Sequence, residues 1–420
     1  MDSGGGRKLV LISFLLFLAV AALSYQRLEA SRSAYAVNNC VLGADNATIG
    51  AALDKGIYRG LRLRKHPMAV VLVATASEPL VRAGLNPRQA TSAGLALIQG
   101  LGAAAMFLFL ARNVTGRWTA LVATLFFLSL FGPASLFGVT DSYGVTFAVS
   151  ALAVLAMGEL ARGCAGARGV IGAGLAVAAA GLANPPAMSI LPLYAALRRS
   201  GRPDDSRLMR DLAGPAAIAA LLALALPMLV SDGWGLGYAR RYATLDGVRD
   251  MGLFADYAAG FWLYALVAPL DLVQCRYGAG LLAGADRLRL AGMGLSALLL
   301  AIGVVRALGI RRSRDLALAC LAGTGALFLF YLVFNPGEVL LYSPQWLFLL
   351  VIGAAAGLGG LHGLPLAAVA VLNLALNLPP LQRGGSADPA RCCPVPPPSM
   401  LPQEHPLRQA GRLCGGGAGP

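Results

Sequence analysis

Apolar runs recur along almost the whole chain, separated by short polar connections. They fall at 8–24, 90–111, 118–131, 143–161, 170–184, 186–197, 213–230, 290–309, 315–334, 344–359 and 361–378. About 20 apolar residues in a helix cross roughly 30 Å of hydrocarbon. The pattern therefore predicts an all-α, polytopic membrane helical bundle of about 11 transmembrane helices. A further apolar piece, 67–81, is short and contains Glu78 and Pro79. An interfacial or re-entrant helix fits it better than a span.

The sign of the loops orients this bundle. Arg7 and Lys8 precede the first run. With 67–81 left out of the count, Arg112 and Arg117, Arg162 and Arg168, "LRRSGRPDDSRLMR" and "RALGIRRSR" all fall on the side of the N-terminus. The opposite short loops, "FGPASLFGVTDSY", "ANPPA" and "NPGEVLLYS", hold no Lys or Arg. Positive residues collect in cytoplasmic loops, so the N-terminus is expected inside. The run "KLVLISFLLFLAVAALSY" resembles a signal peptide but lacks a small-x-small site in the expected place, and reads as an uncleaved first helix.

Composition agrees. The chain of 420 residues is 57% hydrophobic and 13% charged, against roughly 25% charged residues in soluble domains. Its net charge of +14 would suggest nucleic acid in a soluble chain, but the basic residues sit in loops and form no aromatic-rich basic face. Seven cysteines show no repeated metal-ligand spacing. No cofactor is called for, with a divalent cation left open. Ala, Gly, Leu and Arg dominate as in a high-GC bacterium, which places the protein in the inner membrane with a periplasmic outer face. Residues 1–380 form the membrane domain, with 25–89 a long first periplasmic loop carrying interfacial helices and 231–289 a second large periplasmic segment. Residues 381–420 read as a Pro/Gly-rich disordered tail.

The first outer loop breaks the charge rule. In "YRGLRLRKHPM", Arg59, Arg62, Arg64, Lys65 and His66 fall within eleven residues. Longer outer segments tolerate positive charge, so a solvated face or contact with anionic headgroups is one reading. The other is an anion-binding surface suited to a lipid phosphate. The same face collects Asp45 and Asp54 in "GADNATIGAALDKGIYRG", Asp141 in "GVTDSYG", Asn184 in "GLANPP", and Glu338, Tyr342, Ser343 and Gln345 in "NPGEVLLYSPQW". Asp141 is equally suited to capping the next helix. Asn184 fits a cap or a kink beside its paired prolines.

The order "D…D…R…KHPM" from Asp45 to Met68 resembles the first loop of the GT-C superfamily of membrane glycosyltransferases, which includes protein O-mannosyltransferases and the aminoarabinose transferase of lipid A. "GRWTALVATLFFLSLFGPASLFGVTDSYG", "GLANPP" and "EVLLYSPQWLFLL" are similar to its later helices and polar outer positions. An adjacent acidic pair, common in the first loop of the family, is absent, and Asp141 stands where a subfamily has Glu. The resemblance implies transfer of a sugar from a polyprenyl-phosphate donor to a periplasmic acceptor, with membrane lipids as partners. It implies Asp45 as base and Asp54 as a further catalytic residue, two acids nine residues apart that converge only if the loop bends between them, and Arg59, Arg62, Arg64, Lys65 and His66 as donor phosphate-binding residues. Asp141, Asn184, Glu338, Tyr342 and Gln345 would orient the substrates. The alternatives are a transporter or flippase of a lipid-linked solute, which would carry charge near the membrane midplane, or a non-catalytic membrane protein.

Overall fold

The computed structural model describes residues 3–30, 67–137, 142–163, 167–201, 213–222, 245–268, 286–334, 336, 339–359 and 363–386. Among them the architecture is a polytopic membrane helical bundle without strands. In chain order the helices are α1 (Ser3–Ala30), α2 (Pro67–Arg82), α3 (Pro87–Phe109), α4 (Arg117–Ser129), α5 (Phe131–Leu136), α6 (Ser142–Gly163), α7 (Ala167–Ala183) and α8 (Leu191–Gly201). There follow α9 (Ala213–Leu222), α10 (Asp246–Arg249), α11 (Met251–Ala259), α12 (Arg287–Gly309), α13 (Arg311–Val333), α14 (Val339–Ala355) and α15 (Gly363–Ser386).

Each of the eleven apolar runs is met by a helix. α1, α6, α12, α13 and α3 with its π-helical extension Leu110–Val114 are long and apolar enough to cross a membrane. Others are shorter than the hydropathy pattern suggested, for local reasons. The run at 118–131 stops at Ser129, and the chain restarts as α5 after an extended Leu130. The run at 186–197 is divided because Pro185 and Pro186 start a 3₁₀ turn, Pro185–Ile190, before α8. α2 pairs with α3 as a hairpin closed by Gly84 at φ 98°, a left-handed conformation that favours glycine.

Close contacts set the helix directions. A Cβ at Gly102 would come within 2.7 Å of the Ala148 Cα, so α3 and α6 touch backbone to backbone. Gly144 meets Gln99 and Gly158 meets Asn113, so these two helices run parallel. α1 runs against α3, with Phe17 and Ala21 on Gly100. Small residues let helices approach where lipid offers no hydrophobic drive for association.

This packing gathers the arginines of four connections at one end. Arg112 pairs with Glu159 at 3.0 Å, Arg162 with Glu159 at 2.6 Å, and Arg199 with Asp315 at 3.5 Å. These pairs are half exposed, so each contributes little to stability. Their value is positional, since they tie α3 to α6 and α8 to α13. Arg82, Arg88, Arg249 and Arg287 lie toward the far end, on or beside its longer connections.

At the far end the chain breaks its helices, and side chains repair the breaks. The segment Gly260–Tyr264 is a π-helix that unwinds into Ala265–Ala268. The N–H of Phe131 donates to Leu266 O at 3.0 Å, and that of Gly132 to Ala265 O at 2.9 Å. Asn377 of α15 completes the junction: its Nδ2 donates to Ser129 O at 2.9 Å and Leu266 O at 3.1 Å, and its Oδ1 accepts from the Ala268 N–H at 3.1 Å. Arg289, buried to 3% exposure, donates to Ala268 O and pairs with Asp286. One turn from Asn377, Asn373 exchanges hydrogen bonds with Ser296.

Two expectations follow. Asn377→Leu strands Ser129 O and the Ala268 N–H, while Leu266 O keeps the bond from Phe131, and is expected to cost about 2 kcal/mol or more in denaturant unfolding from micelles; an unchanged midpoint would remove Asn377 from this role. In a cysteine-free background on intact cells, Gly84→Cys is expected to react with a membrane-impermeant maleimide while Gly116→Cys, at the arginine end, reacts only after lysis. The reverse pattern would invert the orientation.

Candidate functional site

Just above the Asn377 junction, the far ends of α6, α13 and α14 meet the break between α7 and α8. The Tyr331 hydroxyl of α13 donates to Gln345 Oε1 of α14 at 2.9 Å. The side chain of Asn184, at the start of the 3₁₀ turn, is the second polar neighbour of that hydroxyl. Tyr342 stacks face to face on Tyr331, with centroids 4.1 Å apart and planes 5° apart, and Tyr143 meets Tyr342 edge-on at 5.2 Å.

Local sequence explains each placement. Two prolines after Asn184 stop α7 from continuing, so Asn184 takes an extended backbone and its side chain makes no capping bond. The cap expected there is therefore not formed, and the amide points elsewhere. In α14, Pro344 lacks an N–H and leaves the Leu340 carbonyl without its helical donor. Ser343 Oγ supplies the missing bond at 2.6 Å, which lets a proline sit inside the helix and keeps Tyr342 and Gln345 on its first turns.

An aromatic pile braces the cluster from below. Trp346 stacks on Phe261 at 3.9 Å and 9°, and its Nε1 donates to Phe261 O at 3.2 Å. Phe328 packs against Phe254, Tyr257, Phe261 and Trp262. Burial pushes the Tyr257 phenol far up from its ordinary range, so it stays protonated and donates to Phe328 O at 2.6 Å. The segment Met251–Tyr264 is thereby fixed across the end of α13.

Of the residues singled out in the sequence, Asn184, Tyr342 and Gln345 converge here. Asp45, Asp54, Arg59, Arg62, Arg64, Lys65, His66, Asp141 and Glu338 lie outside the described residues. Asp141 directly precedes Ser142 at the start of α6, and Glu338 directly precedes Val339 at the start of α14, the helices that carry Tyr143 and the Tyr342–Gln345 pair. Sequence reasoning missed Tyr331, which sits in "FLFYLVFNPG" at the end of an apolar run. The available signal was a lone hydroxyl placed just before a helix break. It also missed Asn373 and Asn377, whose spacing of four in "VLNLALNL" puts two amides on one helix face. Among the described residues no group of three His, Cys, Asp or Glu could hold a metal ion.

Comparison with known proteins gives little more. No family model matches the chain, and no curated protein matches it. Among solved structures it is similar to the crystal structure of ArnT from Cupriavidus metallidurans bound to undecaprenyl phosphate, with 15% identity and a TM-score of 0.45. The match covers 84% of this chain and 60% of that one, so this chain spans less than two thirds of that protein's length. At this TM-score the match carries no argument about chemistry, and the helical architecture rests on the described helices themselves.

Proposed function

We propose that the protein is a membrane glycosyltransferase that moves a sugar from a polyprenyl-phosphate donor to an acceptor on the outer face of the inner membrane. The observation that carries this reading is the convergence of Asn184, Tyr331, Tyr342 and Gln345 at the end of the bundle away from the arginine belt. α14, which supplies Tyr342 and Gln345, starts next to Glu338 in the chain, and α6, which adds Tyr143, starts next to Asp141. By the charge rule, the arginine belt is cytoplasmic and the polar cluster faces outward.

In the proposed reaction the acceptor hydroxyl oxygen bonds to the anomeric carbon as the bond from that carbon to the phosphate oxygen breaks. The hydroxyl proton passes to the Asp45 carboxylate, and Asp54 is the second catalytic residue of the same loop sequence. The departing lipid phosphate keeps the bonding electrons. Its charge is met by Arg59, Arg62, Arg64 and Lys65, with His66 as a further donor. A phosphate is already a good leaving group, so cationic stabilisation matters more than a strong acid. Asp141, Asn184, Glu338, Tyr342 and Gln345 orient sugar and acceptor.

Membranes carrying the full chain are to be assayed with a panel of radiolabelled polyprenyl-phosphate sugars. Transfer is expected, and Asp45→Asn is expected to reduce it by roughly 10²–10⁴-fold with folded protein retained. Folded protein that transfers from none of the donors would overturn the transferase reading; transfer unaffected by Asp45→Asn would overturn the assignment of the base.

A further inference from the structure

The Tyr331 cluster holds two amides whose hydrogen-bonding capacity is unspent. Asn184 is 5% exposed and Gln345 is 7% exposed, and neither Asn184 Nδ2 nor Gln345 Nε2 has an acceptor. Gln345 is held through its Oε1 by the Tyr331 hydroxyl, which is 1% exposed, and Asn184 lies beside that hydroxyl with its Nδ2 unbonded. A buried amide N–H₂ without a partner costs about 1–3 kcal/mol, so two side by side at a helix junction ask for an explanation. Tyr331 and Tyr342 cover one face of each other, and Trp346 covers one face of Phe261.

We infer that Asn184 and Gln345, set by Tyr331, form a subsite for the neutral, hydroxyl-bearing end of a ligand. This rests on the transferase reading only in naming that end as the sugar or acceptor rather than the lipid phosphate. The chemistry of the cluster makes the distinction. Asn184, Tyr331, Gln345, Tyr342 and Tyr143 carry no charge. A neutral amide donor suits hydroxyl and ether oxygens, whereas a phosphate needs cations to offset its desolvation. The three elements meeting here also fix the spacing. Asn184 is held by the proline-stopped end of α7, Tyr331 by its stack, and Gln345 by the serine-repaired turn of α14. The two donors are thus presented from different helices at one point, as a small set of fixed polar groups in an otherwise apolar wall would be.

The test uses two probes with one chain and different heads. The full chain in nanodiscs, with Trp118, Trp234 and Trp262 replaced by Phe, leaves Trp346 as the reporter beside Gln345. It is titrated with n-octyl β-glucoside below its micelle threshold and, separately, with n-octyl phosphate. The glucoside is expected to shift the Trp346 emission saturably, and the phosphate to leave it unchanged. Asn184→Leu and Gln345→Met are each expected to raise the half-saturation concentration roughly three- to tenfold, the scale of one lost neutral hydrogen bond. Asn184→Leu is also expected to keep the thermal midpoint at or above that of the parent, because it removes an unpartnered polar group. A flat or unsaturable glucoside titration, an equal response to both heads, or saturation untouched by the substitutions would overturn the proposal. So would a lowered midpoint in Asn184→Leu, which would assign the amide to holding the fold. Binding that fails while transfer persists overturns this subsite alone; binding that holds while transfer is absent overturns the transferase reading alone.

Discussion

The side-chain amide of Asn377 holds together a place where the membrane environment leaves no room for error. Wherever a helix ends among other helices, its free N–H and C=O groups cannot turn to water. Around Asn377 two chain breaks meet: the end of α4 and the unwound stretch Ala265–Ala268 after the π-helix. One amide has both a donor pair and an acceptor, and here all are used. A leucine of similar size would pack but leave the backbone unanswered. The same logic recurs at Ser343, which covers the carbonyl that Pro344 exposes, and at Arg289, which covers Ala268 O.

These repairs make the far end of the bundle rigid without making it continuous helix. Met251–Tyr264 is locked across α13 by the Tyr257 hydrogen bond and the Phe328 ring contacts, and its unwound end is locked to α5 and α15. The polar cluster stands on this base. Its members come from four different elements, so their mutual placement is a property of the tertiary fold. That is why Asn184 and Gln345 can meet at the Tyr331 hydroxyl although about 160 residues separate them.

What the sequence made legible follows from which forces act locally. Helix positions were readable because a membrane span needs a long apolar run, and each of the eleven runs became a helix. Helix ends were less readable. Pro185 and Pro186 divide a run that hydropathy treats as one, and Leu130 adopts an extended conformation inside another. At the site, Asn184, Tyr342 and Gln345 stood out as polar residues beside helix breaks. Tyr331 did not, because within its own segment it is one aromatic among several. Its importance comes from a stacking partner and an acceptor that reach it from α14. Asn373 and Asn377 looked like isolated polar residues in an apolar helix, and only the broken backbone opposite shows what Asn377 is for. The acids and cations of the first loop carry the proposed chemistry from sequence alone, since they lie outside the described residues.

The arginine belt has an energetic meaning beyond its ion pairs. An energised membrane with a negative interior sets a voltage across the protein, and moving one elementary charge through it is worth about 2.3 kcal/mol per 100 mV. Arg112, Arg117, Arg162, Arg168, Arg198, Arg199, Arg306 and Arg311 stand at one end of parallel and antiparallel helices that are bonded to one another. They would have to cross together. With the arginine end on the negative side of such a membrane, as proposed, the voltage would latch the direction in which the bundle is threaded and would hold the polar cluster on the opposite side by the same electrical work.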